Sequence, residues 1–138
     1  GFDLKKDPRL IQAAYDDPFG ITRKFNLNLL TRLNKEIGAQ FTLSKFDHYP
    51  YYDPETGMAK SYLISLKDQE VYIEGLGHGI HFNRWEVLHT EISQKYDSDM
   101  ISNIARKANL EIVKCFYDKR KFFCDALFRK TGMKASKL

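Results

Sequence analysis

Four polar side chains alternate along the segment VLHTEISQKY, residues 87 to 96. They are His89, Glu91, Ser93 and Lys95. If the segment is a β-strand, alternate side chains point to the same face, so the four are predicted to form one row. An imidazole, a carboxylate, a hydroxyl and an ammonium group in a row could bind a small polar ligand through hydrogen bonds and charge. A half-buried antiparallel strand with a solvated outer face has the same alternation, so periodicity alone leaves both interpretations open.

A second candidate is the glycine-rich segment VYIEGLGHG, residues 71 to 79. An apolar strand, an acidic residue and alternating glycines begin many nucleotide and S-adenosylmethionine sites. Such a loop requires a following helix whose N-terminus complements the ligand, whereas the next residues, IHFNRWEVLHT, have the composition of a strand and a polar turn. The sequence therefore favours a glycine-rich hairpin or bulge over a cofactor loop.

Histidines and cysteines provide no recognisable metal or nucleophile motif. The spacing of His78, His81 and His89 matches no zinc motif, and Cys115 and Cys124 are not spaced as a metal-binding pair. Neither cysteine lies in a nucleophile signature, and no Gly-x-Ser-x-Gly elbow occurs. We therefore predict that the chain binds no metal and contains no catalytic nucleophile.

Positive charge is concentrated at the C-terminus of a chain whose net charge is +4. Residues 114 to 138 hold eight basic and two acidic side chains. This excess could contact nucleic acid, but an aromatic-interleaved groove or a known nucleic-acid motif does not accompany it, so a solvated basic edge is favoured. The basic residues considered are Lys119, Arg120, Lys121, Arg129, Lys130, Lys134 and Lys137.

Length and composition restrict the class of protein. A chain of 138 residues is expected to form one unit with its own core. No apolar run approaches the ~18 residues that a membrane span requires, and two cysteines are too few for a disulfide scaffold. We expect a cytoplasmic protein without a membrane partner. The start at Gly1, without the features of a signal peptide, predicts a fragment.

Helices are predicted to dominate residues 1–40. The first should begin at Pro8, after an Asp7 cap, and extend to about Asp16. The second should follow Gly20 and end at Gly38, which can adopt the left-handed C-terminal cap. Spacing predicts that its buried face consists of Phe25, Leu29, Leu30, Leu33 and Ile37.

The rest of the chain is predicted to be β-rich over residues 41–96, followed by a helix and a terminal β-hairpin over residues 97–138. Turn signals separate five aromatic and β-branched runs, which predicts an antiparallel meander. Asp97 or Ser98 should cap the helix, whose apolar face would be Ile101, Ile104, Ala105 and Ala108. The hairpin strands would be LEIVKCFYD and KFFCDALFRK. The predicted fold class is α+β, with helices packed on a mostly antiparallel sheet.

Two further segments have to be considered together, namely AAYDDPFGITRKFNLNLLTRLNKEIGAQF and, about fifty residues later, LHTEISQKY. They closely resemble the C-terminal portion of the histidine-specific S-adenosylmethionine-dependent methyltransferases, the family of the histidine Nα-methyltransferase of ergothioneine biosynthesis. The matching residues are Ala14, Tyr15, Asp17, Gly20, Thr22, Phe25, Asn26, Asn28, Leu30, Asn34, Glu36, Gly38, Phe41, His89, Thr90, Glu91, Ser93, Lys95 and Tyr96.

The resemblance implies the substrate-recognition portion of an enzyme that methylates the α-amine of histidine or a related amino acid. S-adenosyl-L-methionine would be the methyl donor, and no metal would be needed. The chain would include the last two strands of a Rossmann-like methyltransferase sheet, with the N-terminal cofactor-binding half absent. It would then be inactive alone, and its exposed sheet edge would favour self-association.

Four residues are implied to bind the substrate. Glu91 and Ser93 match residues that hold the imidazole, and Tyr15 matches a tyrosine near the amino-acid end of the substrate. Thr22 lies in the matching loop and is assigned to the same pocket. The resemblance assigns no catalytic residue and identifies no cofactor-binding residue in this chain.

One departure from the family pattern lies near Ser61 and Tyr62, where family members tend to place an apolar residue close to the amine. A different side chain at this wall of the substrate pocket would alter the choice of amino acid or the extent of methylation. Two alternatives stay open at this point. One is a stand-alone, non-catalytic module that binds an amino acid or another partner, and the other is a basic nucleic-acid-binding domain whose affinity would fall steeply with salt.

Overall fold

The computed structural model describes residues 1–132, which form three α-helices and eight β-strands joined by short 3-10 turns. The helices are α1 (Pro8–Tyr15), α2 (Ile21–Ile37) and α3 (Ser98–Lys107). The strands are β1 (Phe2–Asp3), β2 (Phe46–Asp53), β3 (Met58–Ser65), β4 (Gln69–Ile73), β5 (His78–Phe82), β6 (Val87–Gln94), β7 (Leu110–Tyr117) and β8 (Phe123–Lys130). Adjacent strands pair antiparallel, and the predicted α+β class is confirmed.

The central sheet has the strand order β2-β3-β6, so the strand with the predicted polar row lies at its edge. Apolar side chains of one face of this sheet pack against α2, and the same cluster includes residues from β4 and β5. Because β3 is buried along this face, α2 and α1 are held at fixed positions over the sheet. The main core consists of Leu27, Leu30, Ala39, Phe41, Phe46, Leu63, Val71, Ile73 and Phe82.

The strands differ from a simple meander at β4 and β5, which form a separate two-stranded hairpin. The chain then returns to pair β6 with β3. The glycine-rich segment is the connection inside this hairpin, as predicted. It forms a 3-10 turn over Glu74–Leu76, and Gly77 ends the turn in the left-handed region with φ 71°.

The predicted boundaries of the helices agree with the structure more closely than their predicted faces. Asp7 caps α1, Gly38 ends α2 with φ 63°, and Asp97, not Ser98, caps α3. The predicted buried face of α2 was wrong for Phe25, which is 71 % exposed, and for Ile37, which is 38 % exposed. The residues of α2 that are buried against the sheet are Asn26, Leu27 and Leu30.

A narrow buried face also characterises α3, where Ile101 and Ala105 are buried but Ile104 and Ala108 are exposed. The helix packs mainly against β7, so one strand covers only a thin stripe of it. Spacing alone predicts a wider stripe, because it cannot show how many elements cover a helix.

The predicted terminal hairpin is confirmed as β7 paired with β8, and β1 adds to the free edge of β8. Large apolar side chains of this hairpin are exposed, among them Val113, Phe116 and Leu127. Lys134 and Lys137 of the basic tail lie outside the described residues. In the part of the chain from residue 1 to residue 132, no helix has the length and apolarity needed to span a membrane.

Candidate functional site

A β-bulge interrupts β6 in the middle of the predicted polar row. Tyr62 of β3 pairs with His89, but the next pair is Ser61 with Glu91, which leaves Thr90 as an extra residue. Paired residues in an antiparallel ladder share a face. His89 therefore lies with Tyr62 on the outer face, where their rings are 5.1 Å apart. The prediction that all four polar residues share one face was wrong for His89, because the bulge reverses the alternation.

The other three residues of the row face the helices. Glu91 pairs with the fully buried Ser61, and Ser93 pairs with Ala59, which packs in a small core under α1. Lys95 follows in the same alternation and is only 3 % exposed. The bulge thus leaves a carboxylate, a hydroxyl and an ammonium group on the helix-facing side, where Glu91 is exposed, Ser93 is half-buried and Lys95 is buried.

Thr90, the extra residue, ties the bulge to α2. Its Oγ1 lies 2.9 Å from the side-chain oxygen of Asn26 and 2.9 Å from the carbonyl oxygen of Ser61, two acceptors for one hydroxyl hydrogen. Asn26 is buried, and its amide donates to the Thr22 carbonyl at 3.1 Å. The bulge is therefore anchored to the first turns of the helix opposite.

A cavity of about 290 Å³ lies between the bulge and α2. Glu91 and Thr90 line it from β6, while Phe25, Asn26 and Arg32 line it from the helix. This explains why Phe25 is exposed, since its ring forms a wall of the cavity and does not pack in the core. Carboxylate, guanidinium, amide and aromatic groups together can bind a small polar aromatic molecule.

Lys95 forms a polar cluster with residues from three parts of the chain. Its Nζ lies 2.6 Å from the Tyr15 hydroxyl, 2.8 Å from Ser93 Oγ and 2.9 Å from Asp3 Oδ2. The ammonium group is also 4.9 Å from the centre of the Tyr15 ring. A second cavity of about 290 Å³ is lined by Asp3, Tyr15 and Lys95 among other residues. The cluster therefore joins β1, α1 and β6 through one buried cation.

The charges in this cluster stabilise one another. Burial opposes the charge on Lys95, but hydrogen bonds to Tyr15 and Asp3 outweigh it, so the pKa of Lys95 lies above its ordinary value. Burial acts against Asp3 in the same way, and hydrogen bonds from Lys6 and Lys95 still hold the pKa of Asp3 below its ordinary value. Both groups are therefore ionised at neutral pH.

Hydrogen bonds between side chains and the main chain at the end of α1 fix the position of Tyr15. The side chain of Gln12 donates to the Pro50 carbonyl at 3.2 Å and accepts from the Tyr52 amide at 3.0 Å, so α1 is docked on β2. His48 Nε2 lies 3.1 Å from the Tyr15 carbonyl oxygen. Tyr15 is thus held in place from both its main chain and its hydroxyl.

Residues 1–130 match the family described as "Histidine-specific methyltransferase, SAM-dependent". The chain belongs to this family. It is similar to the histidine N-alpha-methyltransferases of Mycobacterium tuberculosis, with 29 % identity over 86 % of this chain, and of Mycolicibacterium smegmatis, with 33 % identity over 70 % of it. It is also 35 % identical over 54 % of its length to ergothioneine biosynthesis protein 1 of Schizosaccharomyces pombe. These matches cover 37 %, 30 % and 10 % of the respective relatives.

The structure of this family member brings only some of the four implied substrate residues together. It brings Tyr15 and Ser93 together through Lys95. Glu91 lies two positions before Ser93 on the same strand face, about 6.6 Å along the strand, and lines the neighbouring cavity. Thr22 lies on the first turn of α2, with its hydroxyl 3.4 Å from the Ala14 carbonyl oxygen, and is linked to the bulge through Asn26.

Lys95 is the residue of this candidate site to which sequence reasoning gave no role. It was part of the polar row, but a lysine on an edge strand is more often solvated than buried. The signal lay in its alternation with Glu91 and Ser93, which places it on their face. Its burial depends on Asp3 and Tyr15, which are distant in sequence and become neighbours only in the fold.

Within residues 1–132, no group of three or more His, Cys, Asp or Glu side chains is arranged to hold a metal ion. Cys115 and Cys124 are free thiols. His78 Nδ1 lies 3.1 Å from the Leu76 carbonyl oxygen in the hairpin turn, and His89 Nε2 lies 3.0 Å from the Glu91 carbonyl oxygen on the outer face. The histidines considered as metal ligands are thus distributed over separate local contacts.

Asp17 fixes the loop that leads from Tyr15 to Thr22, and its loss should destabilise the fold in a pH-dependent way. Amides of Thr22 and Ile21 donate to its carboxylate at 2.7 and 2.9 Å and lower its pKa to about 2. A lowered pKa in the folded state means that this stabilisation is present above about pH 4 and is lost as the pH falls toward 2.

We expect Asp17→Asn to lower the thermal midpoint near neutral pH, and the difference from the unchanged chain to shrink near pH 2. Thermal unfolding followed by circular dichroism at both pH values measures this. Asp16→Asn is the matched control, since the Asp16 side chain is exposed and lies next to Asp17 in the chain. An equal loss of stability at both pH values would contradict the assigned role of the carboxylate.

Proposed function

We propose that this chain forms the amino-acid-binding part of an S-adenosylmethionine-dependent methyltransferase that acts on the α-amine of histidine or a related amino acid. The family description and the names of the mycobacterial relatives support this substrate class. The structural observation that carries the proposal is the bulge at Thr90, which leaves Glu91 and Ser93 on the helix-facing side, with Ser93 linked to Tyr15 through Lys95. A carboxylate and a hydroxyl on one face can hydrogen-bond the two nitrogens of an imidazole.

Each residue has a distinct role in this proposal. The Glu91 carboxylate accepts a hydrogen bond from a ring nitrogen of the substrate, and the Ser93 hydroxyl bonds the other ring nitrogen. Tyr15 contacts the amino-acid end, and Thr22 supports the same pocket through Asn26 and the bulge. Glu91 is a substrate anchor and not a general base. Because alignment of two reactants can contribute ~7–11 kcal/mol, positioning would be the main contribution of this chain to catalysis.

S-adenosyl-L-methionine would supply the methyl group. The described residues do not fit this cofactor, because the glycine-rich turn leads into β5 and not into a helix that could complement it. We therefore propose that the cofactor is bound mainly by a part of the full protein outside this chain, and that the chain alone does not catalyse methylation. The wall at Ser61, directly opposite Glu91 in the ladder, is the place where the choice of amino acid would differ from that of relatives.

The same proposal has consequences for partners and location. Exposed apolar side chains on β7 and β8, such as Val113, Phe116 and Leu127, support a role for this hairpin in a larger sheet. Without that sheet, the hairpin would favour self-association. The free thiols of Cys115 and Cys124 are consistent with our proposal of a cytoplasmic location.

Calorimetric titration of the chain with L-histidine, with and without S-adenosylhomocysteine, tests the proposed site. We expect saturable binding that Glu91→Gln weakens about 10- to 100-fold, since a hydrogen bond to a charged group contributes ~1.5–3 kcal/mol. Ser93→Ala should weaken it less, because the lost hydrogen bond involves a neutral hydroxyl. Glu55→Gln is the matched control, since Glu55 is an exposed residue of the turn between β2 and β3.

The full-length gene product distinguishes an incomplete pocket from a wrong assignment. Binding to the full-length protein but not to this chain would mean that residues outside the chain complete the pocket. If neither protein binds histidine, or if Glu91→Gln and Ser93→Ala bind it as the unchanged protein does, the proposed function is wrong. The basic-domain alternative would be favoured if the chain does not bind histidine but binds nucleic acid with an affinity that falls steeply as the salt concentration rises.

A further inference from the structure

We propose that Lys95 is a positioning residue that makes the site select a neutral imidazole ring in a single tautomer. This inference rests on the proposed function, because it concerns the ring held between Glu91 and Ser93. It assigns a task to a buried cation that the sequence and the family resemblance left without one. The argument depends on which atoms of the cluster donate and which accept hydrogen bonds.

The ammonium group of Lys95 uses its full donor capacity inside the protein. An ammonium has three N–H donors and no acceptor. Three oxygen atoms lie within hydrogen-bond distance of Nζ, namely the Tyr15 hydroxyl, Ser93 Oγ and Asp3 Oδ2, at 2.6, 2.8 and 2.9 Å. Each of these oxygens must therefore accept. The side chain is buried, so it cannot turn toward solvent to release them.

The acceptor role imposed on Ser93 determines what its hydroxyl can offer a ligand. A serine hydroxyl carries one hydrogen. Lys95 donates to the Ser93 oxygen and occupies one of its two lone pairs, so the hydroxyl hydrogen points to another partner. A ligand N–H could use the second lone pair only beside the Lys95 ammonium, whose positive charge disfavours a cationic ring there. The Tyr15 hydroxyl has the same neighbour, so Lys95 favours both hydroxyl groups as donors toward the site.

Glu91 has the opposite polarity, because an ionised carboxylate only accepts hydrogen bonds. A ring held between Glu91 and Ser93 is therefore bound best when it donates from one nitrogen and accepts at the other. Neutral imidazole does this in one of its two tautomers, whereas imidazolium carries hydrogens on both nitrogens. The cationic ring would direct an N–H at the Ser93 oxygen beside the Lys95 ammonium, and the like charges would repel each other. The ligand class is therefore a heteroaromatic amino acid with one ring donor and one ring acceptor.

The pH dependence of binding separates this mechanism from simple charge attraction. Glu91 alone would bind a cationic ring more tightly, so affinity would rise as the pH falls. A donor at Ser93 demands the neutral ring, so affinity should fall as the pH drops below the imidazole pKa of ~6.5. The titratable and charged groups that face the cluster and the ring are Asp3, Lys6, Tyr15, Arg32, His48, Tyr52, Glu91 and Lys95.

The test is the affinity of the full-length gene product for L-histidine between about pH 8 and about pH 5. We expect a loss of about 30-fold at the acid end, as 1.5 pH units below a pKa of ~6.5 implies. The control ligand is β-(1,2,4-triazol-3-yl)-L-alanine, whose ring stays neutral over this range. Its affinity should change by less than about threefold, which also reports any effect of protonating His48, Glu91 or other protein groups.

Two variants connect the pH profile to Lys95. In Lys95→Met, both lone pairs of Ser93 Oγ are free and the neighbouring positive charge is gone, so discrimination against the cationic ring should disappear and the profile should flatten or reverse. Lys95→Arg keeps a donor-only cation, so it should keep the direction of the profile even if overall affinity falls. A purely structural role of Lys95 would lower affinity for both ligands equally at every pH.

The outcomes distinguish this inference from the proposed function. If histidine binds and its affinity stays constant or rises toward pH 5, the inference about Lys95 is wrong while the site assignment stands. A Lys95→Met protein that keeps the unchanged pH profile would also overturn it. If neither amino acid binds the full-length protein, the proposed function fails and this inference fails with it. The profile of the unchanged protein is decisive even if a variant does not fold.

Discussion

Replacing Phe46 by alanine is expected to lower the free energy of unfolding by about 3–5 kcal/mol, the usual range for removing a buried phenylalanine side chain. Phe46 is fully buried at the start of β2. Its ring contacts Phe41 and Phe82 edge to face, with centroids 5.6 and 5.4 Å away. The cavity left by the truncation would lie where α2, β2 and β5 meet. Urea unfolding followed by circular dichroism measures the change.

Phe25→Ala is the matched control for this prediction, because it removes the same side chain from an exposed position of α2. We expect it to change the free energy of unfolding by no more than about 0.5 kcal/mol, as surface substitutions usually do. Phe25 lines the cavity beside Glu91, so the same variant should weaken ligand binding instead. Comparable destabilisation by the two variants would contradict the difference in burial between the two rings.

Asn34→Ala should have the second largest effect on stability. The Asn34 amide donates to the Phe41 carbonyl at 2.8 Å, and its oxygen accepts from the Phe41 N–H at 2.8 Å. Phe41 is buried, so the substitution leaves a donor and an acceptor without partners. At ~1–3 kcal/mol for each unsatisfied group, and with some access of water, we expect a loss of about 2–4 kcal/mol.

Asn28→Ala provides the comparison on the same helix, since Asn28 is exposed. It should leave the unfolding free energy within about 0.5 kcal/mol of the unchanged chain. Hydrogen exchange adds a local measurement, because the amide of Phe41 should lose protection in Asn34→Ala and keep it in Asn28→Ala. Unchanged protection of Phe41 in Asn34→Ala would show that the two hydrogen bonds from Asn34 do not hold this segment in place.

Much of the fold could be predicted from local signals. The run FDHYPYYD coincides with β2, the caps at Asp7, Gly38 and Asp97 are correct, and the terminal hairpin is present. Each of these signals depends on residues within one turn or one strand. The faces of the helices were harder to predict, because the exposure of Phe25 and Ile37 depends on where α2 crosses the sheet.

The candidate site was predicted less completely than the fold. Glu91 and Ser93 were identified on their strand, but the position of His89 depends on a bulge that periodicity cannot show. A bulge is stabilised by its partners, here Asn26 and the Ser61 carbonyl, which are distant in sequence. The buried position of Lys95 likewise depends on contacts from β1 and α1, so the chain had to be folded before the cluster became visible.

The extra residue at Thr90 also affects how β6 tolerates changes in length. Deleting Thr90 would give a regular ladder in which Glu91 and Ser93 still face the helices, whereas deleting Ile92 would turn Ser93 and Lys95 outward. Two sequences that differ by one residue at Thr90 can therefore present Glu91 and Ser93 on the same face. An alignment gap at Thr90, unlike a gap at Ile92, would mark the loss of a bulge and not the loss of this face.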